Sequence, residues 1–167
     1  MKIDDLRTGD ILFFDEHPDN TCDNCFVHCI KNCTSSRYSH CAYVLRWKFN
    51  LNRDEIYLWE SSYHPPSVDP VDSKKNKFGV QITPLSYYTK NYPGRVDIYV
   101  RQRDRNLPPV SKFILEEIRH VVYEKPYDIR LCDWVKAKFR CGPKPNTKRF
   151  WCSALLGYIL CLSLIHI

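Results

Sequence analysis

The chain has 167 residues and a formal net charge of +6, which is enough for one ordinary domain and too little for two. Apolar residues make up 44% and aromatic residues 14% of the chain, a composition that excludes a disordered protein. No run of about 18 apolar residues is present, so the sequence also excludes a transmembrane helix.

Alternating apolar residues predict five strands in the first part of the chain. A short helix is predicted over residues 26–31. Residues 64–77 are rich in Pro, Asp, Ser and Lys and are predicted to form a loop. The predicted strands cover residues 11–14, 38–47, 56–61, 80–82 and 96–101.

Helices are predicted after the strands. Ser111 is a suitable N-cap for a helix that continues to about residue 123, before Pro126. A second helix is predicted over 131–139, and a last one begins near Trp151. Strands followed by helices are typical of an α+β fold. The apolar stripe of the first of these helices comprises Ile114, Ile118, Val121 and Val122.

The cysteines and the charge distribution bear on compartment and partners. The chain has nine cysteines, an odd number, and its first residues, MKIDDLRTGD, lack the basic and apolar regions of a signal peptide. We therefore expect free thiols and a cytoplasmic protein. Seven basic side chains and one acidic side chain lie between Arg130 and Arg149 and account for the whole net charge. This segment is either a solvated surface or a surface that faces an anionic partner.

Cys152 is the candidate nucleophile. Thiol hydrolysis requires a thiolate, an imidazole beside the sulfur and a polar group that orients the imidazole. A helix N-terminus lowers the pKa of a thiol and supplies N–H groups for an oxyanion. Cys152 lies at the predicted start of the last helix, close to Lys148 and Arg149.

His40 and Glu60 are the candidate base and orienting acid. They lie on two predicted neighbouring strands, and the loop between these strands is centred near residues 50 and 51. In an antiparallel hairpin, positions equidistant from the turn face each other, so residue 40 faces a position close to 60 or 62. The alternation of side chains places both on one face. The spacing therefore predicts contact between them, although a surface His and a surface Glu would fit the same spacing.

Six segments, in chain order, resemble the motifs of one family and together span nearly the whole chain. They are LRTGDILF at 6–13, TSSRYSHCAYV at 34–44, WES at 59–61, FGVQITPL at 78–85, PYD at 126–128 and FWCSAL at 150–155. The family is the circularly permuted branch of the NlpC-like, papain-fold cysteine hydrolases, especially the YiiX- and YaeF-like group and its poxvirus relatives.

The resemblance implies a circularly permuted papain-like α+β fold, a small antiparallel sheet packed by helices with the nucleophile at a helix N-terminus. It implies a peptidase- or amidase-like thiol hydrolase that needs neither metal nor cofactor, with Cys152, His40 and Glu60 as catalytic residues. Ala154 stands where many members have Glu. The resemblance also marks four substrate-binding or structural residues near the site: Asp10, Tyr127, Asp128 and Ser153.

Two alternatives remain open. Related branches of the family are acyltransferases and phospholipases, so an acyl lipid is a second substrate class beside peptides and amides. The spacing of Cys22, Cys25, Cys29 and Cys33, with His28 nearby, also fits zinc ligands on one helix, although we expect these cysteines to pack in the core. A zinc site would favour a nucleic-acid-binding module, but no motif of that kind is present.

The last six residues, LSLIHI at 162–167, match the translation of a transposase sequencing adapter that begins CTG TCT CTT ATA CAC ATC. We expect them not to be native, which excludes His166 from the site and makes 1–161 a hydrolase domain truncated at its C-terminus. A viral or metagenomic source is consistent with this interpretation. The alternative is an apolar helix that continues from Leu155.

Overall fold

The computed structural model describes residues 3–16, 23–48, 55–62, 68–73, 77–100, 110–130 and 147–165. Its centre is an antiparallel sheet of five strands in the order β4-β3-β2-β1-β5. All five predicted strands are present, and the last ends two residues before the predicted end. The strands are β1 Ile11–Asp15, β2 His40–Trp47, β3 Glu55–Ser62, β4 Gly79–Pro84 and β5 Arg95–Tyr99.

Four α-helices accompany the sheet in the described part of the chain. They are α1 Asp23–Thr34, α2 Leu85–Asn91, α3 Lys112–Val122 and α4 Cys152–Ile165, and a short 3-10 helix spans Ile3–Asp5. The sequence predicted α1, α3 and α4, whereas α2 was not predicted. The helix predicted over 131–139 lies outside the described residues. Within those residues, no helix is long and apolar enough to cross a membrane.

The two faces of the sheet carry separate apolar cores, because side chains alternate along each strand. Tyr43 and Leu45 of β2 belong to the core that α3 and α4 cover, together with Leu155 and Ile159. The other core includes Val44 of β2 and is capped by the first residues of α2. A chemical group at the end of β2 can therefore meet side chains from both layers. This α+β arrangement agrees with the predicted class.

The apolar stripe of α3 is shifted from the prediction. The buried residues are Leu115, Ile118 and Val122, and Ile114 packs at the margin of the core. Val121 is 46% exposed, so its assignment to the stripe was wrong. Ser111 is the N-cap, as predicted, but its side chain makes no capping hydrogen bond. The helix is held by its packing against α4 and the sheet.

Candidate active site

His40 and Glu60 meet across the β2–β3 hairpin, as the spacing predicted. Tyr43 faces Trp59 and Val44 faces Leu58, so the register places Glu60 diagonal to His40 on the same face of the sheet. His40 Nε2 lies 2.7 Å from Glu60 Oε2. The predicted contact between the two side chains is confirmed.

Glu60 is almost completely buried, with 1% of its surface exposed. Three groups replace its lost hydration: His40, the Thr83 hydroxyl, which donates to Oε1 at 2.6 Å, and the Tyr88 hydroxyl, which donates to Oε2 at 2.7 Å. Burial and the neighbouring carboxylate raise the pKa of Tyr88 well above its usual value. Tyr88 therefore remains a protonated donor, and Glu60 is held in one orientation.

The sequence analysis missed both hydroxyl donors. Gln81 of β4 faces Glu60, so alternation places Thr83 on the same face and diagonal to the carboxylate. Antiparallel pairing of the two predicted strands β3 and β4 would have predicted Thr83 as a neighbour of Glu60. Tyr88 lies on α2, whose existence the local sequence did not indicate.

Cys152 begins α4. The Leu155 N–H donates to the Trp151 carbonyl at 3.0 Å, which makes Trp151 the N-cap and Cys152 the first helical residue. The first N–H groups of the helix have no partner within the helix, and its dipole favours negative charge at this end. The predicted position of Cys152 is confirmed.

The backbone at Phe150 fixes where α4 starts. The Ser61 hydroxyl of β3 donates to the Phe150 carbonyl at 2.6 Å. The Phe150 N–H donates to the Pro126 carbonyl at 3.2 Å, and the Asp128 N–H donates back to the Phe150 carbonyl at 3.3 Å. This clamp ties the segment before Cys152 to the strand that carries Glu60, although the two are far apart in sequence.

The Pro126 segment is itself fastened to β4. The Val80 N–H donates to the Lys125 carbonyl at 2.9 Å. Gly79 has a φ of +142°, and a Cβ there would lie 2.2 Å from the Lys125 carbonyl oxygen. Only glycine permits this close approach of the two backbones.

His40 and Cys152 are electrostatically coupled. Burial by itself would lower the pKa of His40, but hydrogen bonds with Cys152 and Glu60 outweigh it and raise the pKa to about 10. Because Nε2 is engaged by Glu60, we infer that Nδ1 faces the sulfur. Hydrogen bonds from Cys41 and from His40 hold the pKa of Cys152 well below its usual value, against the effect of burial. The arrangement favours a thiolate–imidazolium pair at neutral pH.

The dominant effects on the Cys152 thiol come from β2. Cys41 and His40 are the largest favourable contributors, whereas the sequence indicated the helix start, with additional help from Lys148 and Arg149. Cys41 lies next to His40 in sequence, but the sequence analysis did not single it out. Its own pKa is raised well above the usual value, first through its hydrogen bond with Cys152.

Comparison with solved structures shows a similar fold. No protein-family model matches the chain, and no curated protein matches its sequence. The fold is similar to that of YiiX. The crystal structure of YiiX, described as a metalloprotein from Escherichia coli O157:H7, matches the present chain with a TM-score of 0.57 and 19% sequence identity. The match covers 95% of this chain and 66% of the YiiX chain, and at this identity it establishes the fold alone.

Four further residues were predicted near the site, and the YiiX-like fold separates them. The Asp10 carboxylate accepts from the Arg7 N–H at 2.8 Å, and its carbonyl accepts from the Val44 N–H at 2.8 Å. Val44 is four residues along β2 from His40, or about 13 Å at 3.3 Å per residue. Asp10 therefore stabilises the turn before β1 and is not near the site.

Tyr127, Asp128 and Ser153 lie closer to Cys152. Tyr127 is buried, and its pKa is raised first by burial and then by the charge of Cys152. The Asp128 carboxylate accepts from the Arg130 N–H at 3.1 Å and its N–H belongs to the Phe150 clamp. Ser153 is exposed in the first turn of α4. All three lie around the start of α4.

The cysteine-rich helix α1 differs from its prediction. Cys25 is exposed, and Cys29 and Cys33 are partly exposed with their sulfur atoms 3.9 Å apart, so the prediction that these cysteines pack in the core was wrong for Cys25. His28 is also exposed. Cys22 lies outside the described residues. Among the residues described, no three His, Cys, Asp or Glu side chains are placed to hold a metal ion.

Proposed function

We propose that the protein is a cysteine-dependent hydrolase of amide or ester bonds, with a permuted papain-like fold, acting in the reducing cytoplasm. Cys152 is the nucleophile, His40 the acid and base, and Glu60 the orienting group. The observation that carries the proposal is the placement of His40. The His40 ring lies 2.7 Å from the buried Glu60 carboxylate. Its interactions with Cys152 and Glu60 raise its pKa to about 10.

The reaction follows from these positions. The Cys152 thiolate attacks the carbonyl carbon, and the oxyanion is stabilised by N–H groups at the start of α4. The leaving amine or alcohol takes a proton from the His40 imidazolium, which leaves a thioester on Cys152. A water molecule then attacks the thioester while neutral His40 accepts its proton. Collapse of this intermediate releases the acid and restores the thiolate.

Glu60 acts through His40 and does not touch the substrate. Its carboxylate accepts from Nε2–H, which leaves Nδ1 for proton exchange at the sulfur and at the leaving group. The Thr83 and Tyr88 hydroxyls prevent the carboxylate from rotating away. The chain order of His, acid and Cys agrees with the permuted branch of the family named above.

YiiX is described as a metalloprotein, so we tested whether a metal fits this chain. Among the described residues, no three His, Cys, Asp or Glu side chains are placed to hold a metal ion. No step of the proposed reaction uses one.

The test is capture of the acyl-enzyme. The reduced chain is incubated with nitrophenyl esters, peptide reporters and acyl-lipid reporters, and the intact mass is measured after rapid acid quench. We expect an adduct on Cys152 with at least one reporter, no adduct with Cys152→Ala, and no effect of a chelator. Turnover that survives Cys152→Ala would overturn the proposal, and the reporter that forms the adduct assigns the substrate class.

A further inference from the structure

Two large apolar side chains are exposed beside the segment that leads to Cys152. Phe78 is 45% exposed and Ile129 is 54% exposed. The Tyr127 N–H donates to the Phe78 carbonyl at 3.1 Å, and the centres of the Phe78 and Tyr127 rings are 5.9 Å apart. Ile129 follows Tyr127 by two residues, which places its Cα within about 8 Å of the Tyr127 Cα. Phe78 and Ile129 therefore belong to one region of the surface, and exposed apolar groups that cluster in this way are typical of an interaction site.

Backbone hydrogen bonds bring basic side chains to the same region. The Phe150 N–H donates to the Pro126 carbonyl at 3.2 Å, and the Asp128 N–H donates to the Phe150 carbonyl at 3.3 Å. Within two residues of these bonds lie four basic side chains, two of them exposed and two partly exposed. They are Lys125, Arg130, Lys148 and Arg149.

Acidic side chains do not cancel this charge. Residues 124–130 and 147–151 contain two acidic side chains, Glu124 and Asp128, against the four basic ones, and Asp128 is 3% exposed. Arg130 and Arg149 are also the ends of the basic segment that accounts for the whole net charge of the chain. The sequence left open whether that segment is a solvated surface or faces an anionic partner, and the exposed apolar pair beside both of its ends favours a partner.

We propose that this region docks the protein onto the surface of a bilayer that contains anionic phospholipids. Apolar side chains enter the boundary between headgroups and acyl chains, while lysine and arginine pair with anionic headgroups. The inference does not depend on the proposed hydrolysis. The docking surface consists of the two exposed apolar side chains and the four basic ones: Phe78, Ile129, Lys125, Arg130, Lys148 and Arg149.

A bilayer is the partner that uses both parts of the docking surface. A nucleic acid or a polyacidic peptide would neutralise the cations, but the outer surface of either is charged and offers no apolar phase to Ile129. Long basic side chains keep their charged ends in the headgroup layer while their methylene stems lie along apolar neighbours. Because α4 begins two residues after Phe150, docking would hold Cys152 close to the membrane surface.

The test is the partition of the full, reduced chain between buffer and sedimented vesicles. Vesicles of phosphatidylcholine alone are compared with vesicles that also contain phosphatidylserine, at low and at high salt. We expect binding to the phosphatidylserine vesicles, much weaker binding to the neutral vesicles, and a loss of binding at high salt because salt screens the attraction. Cys152→Ala should bind the vesicles as the parent does, which keeps this test independent of the hydrolase.

Two variants test the two parts of the docking surface. A cation near an anionic leaflet contributes about fivefold to the partition coefficient, so Arg130→Gln combined with Lys148→Gln should lower the coefficient about 25-fold. Ile129→Gln leaves the charge unchanged and removes about half of the gain from burying an aliphatic side chain, which corresponds to a decrease of about 4- to 15-fold. If Ile129→Gln does not fold, Phe78→Gln replaces it.

Matched controls lie at the far end of the sheet. The docking surface lies at the end where β2 begins, because β4 starts opposite the end of β3. Lys112 lies over the Trp47 ring, and Trp47 is about 23 Å along β2 from its first residue. Lys48→Gln combined with Lys112→Gln removes the same charge there, and Phe113→Gln removes an apolar side chain that is 72% exposed. Both controls should bind as the parent does, because charges farther from the bilayer than about 8–10 Å are largely screened.

Three results with vesicles would overturn the inference: no binding to phosphatidylserine vesicles, unchanged binding by Ile129→Gln, or a loss in the far-end charge control as large as that in Arg130→Gln with Lys148→Gln. Tighter binding of the parent to single-stranded DNA or polyglutamate than to the vesicles would assign the surface to a polyanion and would overturn it as well. Vesicle binding without acyl-enzyme formation would instead contradict only the proposed hydrolase.

Discussion

Replacing Glu60 with glutamine tests how the carboxylate supports His40. The substitution keeps the size of the side chain and one oxygen acceptor. With that oxygen in the place of Oε2, the contacts from His40 and Tyr88 remain, and the amide nitrogen faces the Thr83 hydroxyl, which can rotate to accept. The variant should fold, and the main loss is the negative charge beside the imidazolium.

The size of the effect follows from the contact. A hydrogen bond to a charged group contributes about 1.5–3 kcal/mol. One pKa unit corresponds to about 1.4 kcal/mol, so the pKa of His40 should fall from about 10 to about 8–9. The same free energy lowers kcat/KM about 10- to 150-fold.

The sign of the pH effect is fixed by the direction of the shift. The pKa of His40 in the folded protein is raised above its usual value. The stabilisation that the protonated imidazole provides is therefore complete below the usual pKa and is lost as the pH rises through about 10. In Glu60→Gln the alkaline loss should begin at lower pH. A less basic His40 also stabilises the thiolate less, so the acid limb should move to higher pH. The pH range over which the variant is active should therefore be narrower than that of the parent, at both the acid and the alkaline end.

The assay has two readouts. The rate of iodoacetamide alkylation at Cys152 against pH reports the acid limb without a substrate, and kcat/KM with an acyl reporter reports both limbs. Glu55→Gln is the matched control, since Glu55 lies on the same strand but is exposed and accepts from Tyr57. Superimposable pH profiles for Glu60→Gln and the parent would refute the role assigned to the carboxylate.

Three further predictions concern the clamp, the backbone at two glycines and the reactivity of Cys152. Ser61→Ala removes the buried donor to the Phe150 carbonyl and should lower the free energy of unfolding by about 1–3 kcal/mol; an unchanged urea midpoint would contradict this. Gly79→Ala should cost at least about 2 kcal/mol because of its positive φ and the absence of space, whereas Gly157→Ala, whose Cβ meets no atom within 4 Å, should stabilise α4 by about 0.5–1 kcal/mol. Thermal melts that rank the two glycine variants the other way would show that the backbone argument is wrong. Cys152 should be the first cysteine alkylated near pH 6, and peptide mapping that finds Cys25 labelled first would count against the thiolate.

Local periodicity in the sequence predicted the five strands and the contact between His40 and Glu60. The alternation of side chains and the centre of one loop determined that His40 and Glu60 share a face and meet, because antiparallel pairing is fixed by geometry near the turn. The start of α4 at Cys152 was also predictable, since the apolar helix follows a Pro- and Lys-rich segment. The family motifs, and not the spacing, suggested that these distant residues belong together.

Only the tertiary structure decided the rest, because the deciding contacts join segments far apart in the chain. The sequence LSYYTKN of α2 contains several weak helix formers, and packing of Leu85 against the sheet places Tyr88 on Glu60. The clamp at Phe150 ties the start of α4 to β3, and α4 packs against both β2 and β3. The exposure of Val121 and Cys25 likewise depends on how each helix is rotated about its axis. Periodicity defines a helix face, but the neighbouring elements determine which part of that face is buried.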